Sequence, residues 1–237
     1  MSPLEALLQI QERDTAADRL RHRRATLPER DELAAREQQQ AAVQERLTAA
    51  RARHGLVAER QAKLEAEVAG LDRRIADIDR RLYSGAVSAS RDLQAMSAEI
   101  DSLKALRSLV ESDALAAMEE ADPLAEQVSE LEAEGAALDG DAERLRVALA
   151  EAEAAIDAEV AVQEQAKEGM AGSVPAELLD TYEQLRAKLG GVGAARLVGS
   201  SCSGCHLTLP MSELARIKKK PPDELVLCDQ CGRILVR

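Results

Sequence analysis

From Val43 onward, apolar and small side chains recur at alternating steps of four and three: Val43, Leu47, Ala50, His54, Val57, Gln61, Leu64, Val68, Leu71, Ile75, Ile78 and Leu82. That 3.5-residue repeat belongs to a helix that buries one narrow stripe against another helix. The pattern restarts at Leu93 and holds one phase through Met96, Ile100, Leu103, Arg107, Val110, Ala114, Ala117, Ala121, Leu124, Val128, Leu131, Gly135, Leu138, Ala142, Leu145, Leu149, Ala152 and Ile156. A rounded core cannot replace it. The 237 residues include no Phe, no Trp and two Tyr, and 44 of the residues in the 46% hydrophobic fraction are Ala. Large side chains supply most of the area a globular core buries. A disordered chain, which 31% charged residues would permit, has no reason to keep its Leu, Ile and Val in register.

Between the two seams lies Tyr83-Ser84-Gly85-Ala86-Val87-Ser88-Ala89-Ser90, a Gly- and Ser-rich interruption with a sustained seam on either side. Folding back there predicts an antiparallel hairpin. Charge agrees: residues 1–82 carry sixteen Lys plus Arg against fifteen Asp plus Glu, a net of +1, and residues 83–189 carry eight against twenty-four, a net of −16. The hairpin sets an Arg-rich arm against an acidic one, each of about 80 residues and roughly 120 Å long at 1.5 Å per residue. A parallel dimer of one unbroken helix is the competing arrangement. Kinks are expected near Pro28, before which the pattern is less regular, and near Pro123, where Asp122 is placed to cap a restarted helix. His54, Gln61 and Arg107 within the seam read as register devices or half-buried, snorkelling side chains. Arg21-His22-Arg23-Arg24 reads as a solvated basic turn.

All four cysteines fall in the last thirty-six residues, as Cys202-Ser203-Gly204-Cys205 and Cys228-Asp229-Gln230-Cys231, with twenty-two residues between the pairs. In a reducing compartment that clustering favours metal over disulfides. Each pair closes a knuckle, and four thiolates fill a tetrahedral zinc shell at about 2.3 Å with no position left for water. The same thiolates would accept iron; a thioredoxin-type redox pair lacks its βαβ surroundings. Gly204 and Gly232 sit where the knuckles turn, and His206 follows an already filled shell. Residues 195–198, 224–227 and 234–236 read as short strands. Residues 210–217 read as a brief helix opened by Pro210 and stopped by Pro221-Pro222. Gly190-Gly191-Val192-Gly193 is followed by no Lys-Ser/Thr pair and belongs to no βαβ unit, so it reads as a flexible approach to the ribbon rather than a phosphate loop.

The expected fold is therefore mainly α. A long antiparallel coiled-coil hairpin spans residues 1–172, turning near 84–90, and residues 173–237 form a C-terminal helix plus a small β zinc ribbon with a short helical insert. One structural Zn²⁺ per chain is expected at Cys202, Cys205, Cys228 and Cys231.

Several function classes drop out. No run of eighteen apolar residues offers a membrane span, and the N-terminal residues meet charge at Glu5 without a signal peptide's apolar stretch, so the chain is read as cytoplasmic. The zinc shell is closed, no Ser/His/Asp or Cys/His constellation is visible, and carboxylates are spread along helix faces. A non-enzymatic protein without a small-molecule substrate is expected. Two roles compete. An adaptor would bind a protein partner through the hairpin and ribbon, with Tyr83 and Arg91 at the tip, because Tyr and Arg are favoured interface anchors. A nucleic-acid binder would use Arg216, Lys218, Lys219, Lys220, Arg233 and Arg237 on the ribbon. Residues 190–237 carry a net of +3, which zinc with four thiolates lowers to about +1, and the acidic arm repels phosphate. The ribbon also has no aromatic stacking platform. The adaptor ranks first.

Several motifs together carry a family resemblance. They are Leu82-Tyr83-Ser84-Gly85 with Arg91-Asp92-Leu93-Gln94 and Glu99-Ile100, then Val174-Pro175 with Leu178-Leu179 and Tyr182-Glu183, then Gly190-Gly191. Cys202-Ser203-Gly204-Cys205-His206, Leu209-Pro210 and Cys228-Asp229-Gln230-Cys231-Gly232-Arg233-Ile234-Leu235 complete the set. Over essentially its whole length the chain resembles a bacterial family that joins an N-terminal coiled-coil hairpin to a C4-type zinc ribbon. The resemblance implies a non-enzymatic protein with zinc at the four cysteines. In flagellated or secreting bacteria it implies protein-export, transcription-factor or RNA partners, none of which any residue here identifies. Asp229 and Val236 stand where the family pattern often has Pro and Tyr; neither is a ligand.

Overall fold

The computed structural model describes residues 2–221 and 224–237; Pro222, half of the expected helix stop, lies outside them. In order, the elements are α1 (Pro3–Ala25), α2 (Pro28–Tyr83), α3 (Ser90–Ala171), α4 (Ala176–Lys188), β1 (Ala194–Val198), β2 (Ser201–Cys202), α5 (Met211–Lys219) and β3 (Ile234–Val236). None of the helices is long and apolar enough to cross a membrane. The chain divides into two compact units, one of Leu33–Arg144 and one of Met1–Glu32 with Leu145–Arg237.

In the first unit α2 and α3 run antiparallel. The chain turns between Tyr83 and Ser90, where Gly85 adopts a left-handed φ of +73°, a conformation glycine takes without penalty. Seam residues bury as their spacing requires. Val43, Leu47 and Ala50 pack with Leu131, Val128 and Leu138. Nearer the turn, Ile78, Ile100 and Leu103 gather Leu71, Ile75, Leu82 and Met96 around them. Ion pairs track the same geometry: Arg74 meets Glu99 at 2.6 Å, Arg60 meets Glu120 at 3.3 Å, Arg51 meets Glu132 at 2.7 Å and Arg46 meets Glu134 at 3.5 Å. These pairs are exposed, and each contributes about 0–1 kcal/mol. They match the arms electrostatically while the seam supplies the burial. The polar seam positions stay half-buried. Gln61 donates to Glu65 at 2.8 Å, and Arg107 reaches Asp72 at 2.6 Å and Glu111 at 2.8 Å.

The two prolines sit in different settings. At Pro28 the chain does more than kink. α1 ends at Ala25, Thr26 donates its backbone N–H to His22 and Arg23, and Pro28 opens a separate helix, at a position where the missing N–H has no intrahelical partner to lose. At Pro123 no new helix starts, because α3 runs from Ser90 to Ala171 with the proline inside it. The ring removes one backbone donor, but buried Ala121 and Leu131 hold the stripe on either side.

The second unit overturns the expected division at 172/173. α1 does not belong to the hairpin alone: its Leu4, Leu7, Leu8 and Ile10 form one core with Val174, Tyr182, Ala194, Ile234 and Val236. The stripe that starts at Leu4 and Leu7 continues into Gln11 and Asp14, both buried, and each has a specific partner. Gln11 accepts the Gly193 N–H at 2.7 Å and the Ala194 N–H at 3.3 Å, and donates to the Gly191 carbonyl at 3.0 Å. Asp14 accepts the Tyr182 hydroxyl at 2.7 Å, with Lys167 at 3.2 Å and Arg186 at 3.5 Å. Burial, then the bond to Asp14, raises the Tyr182 phenol well above its ordinary pKa, so it remains a donor. Leu27, Ile156 and Val160 form a further cluster, flanked by Arg24 and its partners Glu153 and Asp157.

The small sheet has the order β2-β1-β3, with β1 antiparallel to β2 and parallel to β3. Alternation along the strands gives it two faces. Ala194, Ile234 and Val236 join the helical core, while Ala195 and Leu235 join Leu209, Ile217, Val226 and the cysteines. The strand expected over 224–227 is not one: its Leu227 makes an isolated bridge to Ile234, and Val226 is buried without extended pairing. The free edge of β1 is taken instead by β2, after a turn at Gly199 with φ of +64°.

Cysteines replacing Leu71 and Ile100, which share one cluster, should cross-link within a single chain on mild oxidation; bands found only between chains on denaturing gels would contradict the hairpin. Tyr182→Phe should destabilise the α1–α4 unit by about 1–2 kcal/mol. Asp14→Ala, which leaves Lys167 and Arg186 without their shared carboxylate, should lose about 3 kcal/mol or more. Urea denaturation with proteolysis of α1 as the readout measures both.

Candidate metal centre

The two knuckles are built alike. In the first, Cys202 ends β2 and its N–H donates to the Leu207 carbonyl at 3.1 Å, while the His206 N–H returns to the Cys202 carbonyl at 2.8 Å. In the second, the Cys228 N–H donates to the Arg233 carbonyl at 2.8 Å and the Gly232 N–H returns to the Cys228 carbonyl at 2.7 Å. His206 (φ +61°) and Gly232 (φ +75°) hold the same left-handed position, each four residues past the first cysteine of its pair. His206 is exposed and turns the chain; it is not a ligand. Gly204 has a different duty. A Cβ there would stand 2.6 Å from Arg233 Cδ and 2.9 Å from Ala195 Cβ, and its N–H donates to Cys202 Sγ at 3.4 Å.

These turns bring the four expected ligands together. All four sulfurs of Cys202, Cys205, Cys228 and Cys231 lie within 4.8 Å of one another, and Cys202 and Cys231 are 4.0 Å apart. Tetrahedral zinc with sulfurs at about 2.3 Å requires S···S separations of about 3.8 Å, so the thiols fit one ion. The centre is structural, since four sulfurs complete the coordination. Its electrostatics depend on that ion. Burial pushes the Cys202 thiol up and the Cys228 thiol to about 12. Burial also opposes ionisation of Cys231, but hydrogen bonds from Arg233 outweigh it and bring that thiol to about 7. At neutral pH the two buried thiols keep their protons until a cation displaces them.

The ribbon's candidate cations are distributed by what they already hold. Arg233 donates to the Val192 carbonyl at 3.0 Å and the Leu189 carbonyl at 3.2 Å. Arg237 donates to the carbonyls of Ile217 at 2.8 Å, Lys220 at 2.9 Å and Glu224 at 3.2 Å, tying down the end of α5. Arg216 meets Asp229 at 3.0 Å and Lys220 meets Glu224 at 2.8 Å. Lys218 and Lys219 are exposed. Among the six, Arg233 and Arg237 bond carbonyls, and Arg216 and Lys220 meet carboxylates. In the other unit Tyr83, the last residue of α2, is 80% exposed, and Arg91 is exposed in the first turn of α3. Sequence reading missed the α1 contacts that seat the sheet; the signal available was Gln11 and Asp14 occupying stripe positions after Leu4 and Leu7.

Purified chain should carry one zinc per polypeptide by elemental analysis, and a dominant iron content would contradict that. Zinc binding should expel at least the Cys202 and Cys228 protons at neutral pH, so zinc is lost as pH falls; the buffer dependence of the binding heat measures this. Cys202→Ser or Cys231→Ser should unravel the ribbon and make α1 protease-sensitive, while the helical signal of residues 33–144 persists.

Residues 10–190 match the CT398-like coiled coil hairpin domain family, and residues 201–235 match the C4-type zinc ribbon domain family. An uncharacterised protein of Mycobacterium tuberculosis is 32% identical over 242 residues, spanning 98% of this chain and 94% of the relative. A solved structure from Mycobacterium smegmatis is similar over 100% of both chains, with a TM-score of 0.87 and 25% identity. CT398 from Chlamydia trachomatis shares the fold with a TM-score of 0.69 at 19% identity, over 99% of this chain and 97% of its own. The HP0958 protein from Helicobacter pylori does so with a TM-score of 0.52 at 18% identity, over 99% and 96%. With hairpin and ribbon each matched in place, the chain belongs to the CT398-like coiled-coil hairpin family and carries that hairpin together with a C4-type zinc ribbon.

Proposed function

We propose that this protein is a non-enzymatic adaptor that binds a protein partner through the tip of its hairpin, with the zinc ribbon as a second recognition surface. Tyr83 carries the reading. Of the chain's two tyrosines, Tyr182 is fully buried and Tyr83 is 80% exposed beside the turn. An aromatic ring held in water at the end of a two-helix arm, with exposed Arg91 close in sequence, has the composition of an interface anchor. The ribbon adds exposed Leu207, Met211 and Leu227, apolar side chains suited to protein contact rather than phosphate. The four closed thiolates offer zinc no open position for substrate, which supports a structural rather than catalytic role.

A second reading, nucleic-acid binding by the ribbon, draws on Lys218 and Lys219, which are exposed and pair with no acid among the described residues. Arg233 and Arg237 support it less than their charges suggest, because their donors already bond backbone carbonyls.

Affinity capture from the protein's own cells, with and without nuclease, separates the two. Tyr83→Ala with Arg91→Ala should abolish nuclease-resistant partner capture, while Lys218→Glu, Lys219→Glu and Lys220→Glu together leave it mostly intact. Tight binding to RNA or DNA that weakens steeply with salt, and is lost in the lysine variant, would reverse the ranking.

A further inference from the structure

Two sequence features serve neither the zinc centre nor the tip: the basic run at 21–24 and the glycine loop at 190–193. In the structure they meet. A recess of about 500 Å³ is bordered by Arg19, His22 and Arg23 of α1 and by Gly190, Gly191 and Val192. Other cations of α1 are already occupied. Arg13 donates to Gln163, Arg21 pairs with Asp18 and Glu164, and Arg24 pairs with Glu153 and Asp157. The side chains of Arg19, His22 and Arg23 are exposed and have no hydrogen-bond or ion-pair partner among the described residues. The chain holds 43 acidic residues against 31 basic ones, so carboxylates are in surplus, yet none is paired with these three.

The recess does contain one carboxylate, and it is neutralised. Asp18 is held by Arg21 at 2.9 Å and by Arg186. The helix dipole accounts for His22 and Arg23 in the last turn of α1, but it accounts neither for Arg19, one turn earlier, nor for a recess. Spacing of four residues sets Arg19 and Arg23 on one face about 5–6 Å apart at Cβ, and each planar guanidinium can present paired N–H donors to phosphate oxygens.

The opposite wall is fixed in advance. Gly190 and Gly191 have φ of +71° and +93°, and lacking side chains they leave backbone bordering the space. The loop is pinned on both sides: Gln11 donates to the Gly191 carbonyl at 3.0 Å, Arg233 donates to the Val192 carbonyl at 3.0 Å, and the Gly191 N–H donates to the Arg186 carbonyl at 2.9 Å. A site whose wall needs no ordering retains more of its contact energy on binding.

We propose that this recess binds a small phosphate-bearing ligand, gripped by the Arg19 and Arg23 guanidiniums with His22 beside them, against the Gly190–Gly191 backbone. Inorganic phosphates and nucleotides share that chemistry, and two probes distinguish them. Zinc-loaded full-length protein is titrated calorimetrically with inorganic pyrophosphate and, separately, with adenosine diphosphate. Saturable one-to-one binding that weakens with salt is expected. Arg19→Gln with Arg23→Gln should weaken it by about tenfold or more with unchanged thermal unfolding, since both side chains are exposed and unpaired. Lys218→Gln with Lys219→Gln should leave it unaltered. Equal affinity for the two probes assigns the site to the phosphate group alone, and a preference for the diphosphate nucleoside assigns it to nucleotides. Absence of saturable binding to both probes overturns the proposal. So does binding indifferent to the arginine changes, or binding lost through the lysines instead. Binding of a single-stranded oligonucleotide that needs Arg19 and Arg23, without binding of either small probe, also overturns it and assigns the arginines to a nucleic-acid backbone. Tip-dependent protein capture is untouched by any of these results.

Discussion

Two helices packed only on each other can bury one narrow stripe apiece, and that limit governs Leu33–Arg144. That unit is built from α2 and α3 alone, so within it stability accumulates along length rather than in a centre. Small residues serve such a seam well: Ala50, Ala117, Ala121 and Ala142 are all buried, where bulkier side chains would separate the helices. A stripe this narrow also tolerates polar residues at its margin. Arg107 occupies a seam position and still reaches Asp72 and Glu111. The same limit leaves Leu56 and Leu109 exposed at 70% and 67%, since helices with one partner have nowhere to put a second apolar face.

The second unit solves the opposite problem, a small sheet that must be held from both sides. Period-two alternation turns Ile234 and Val236 toward the α1–α4 core and Leu235 toward the zinc side. Neither layer is large. The metal fastens one and the α1 helix fastens the other. Arg233 links them: it crowds Gly204 in the first knuckle, favours the Cys231 thiolate in the second, and bonds the carbonyls of Leu189 and Val192 beyond. Metal loss and loss of the α1 core therefore damage the same sheet from opposite faces.

What could be read from sequence follows the range of the interaction that encodes it. The 3.5-residue stripe and the two Cys pairs are local patterns, and they located the seam and the zinc ligands. The seat of α1 was hidden because its partners are far along the chain, with Tyr182 and Gly193 following Asp14 and Gln11 by 168 and 182 residues. Two polar residues on the stripe also disguised it as irregular. The apolar run at 224–227 looks like a strand because Val226 is buried, but burial comes from packing, and the edge of β1 pairs with Ser201–Cys202 instead. Pro28 and Pro123 show the same dependence on context, since one opens a helix and the other lies within one.

Cation counts mislead for a related reason. Seven Lys and Arg in residues 190–237 suggest a phosphate-binding face, but a guanidinium bonded to carbonyls keeps its charge and gives up its donors. Arg233 and Arg237 still contribute to the long-range field around the ribbon, while the exposed cations without an acid partner among the described residues are Lys218 and Lys219. Lysines of that kind fix position on a phosphate backbone without reading bases. The recognition proposed for this protein rests instead on groups with shape and free donors. On Leu33–Arg144 that description fits Tyr83 and Arg91 at the tip, and on the other unit it fits Arg19 and Arg23 beside the pinned glycine loop.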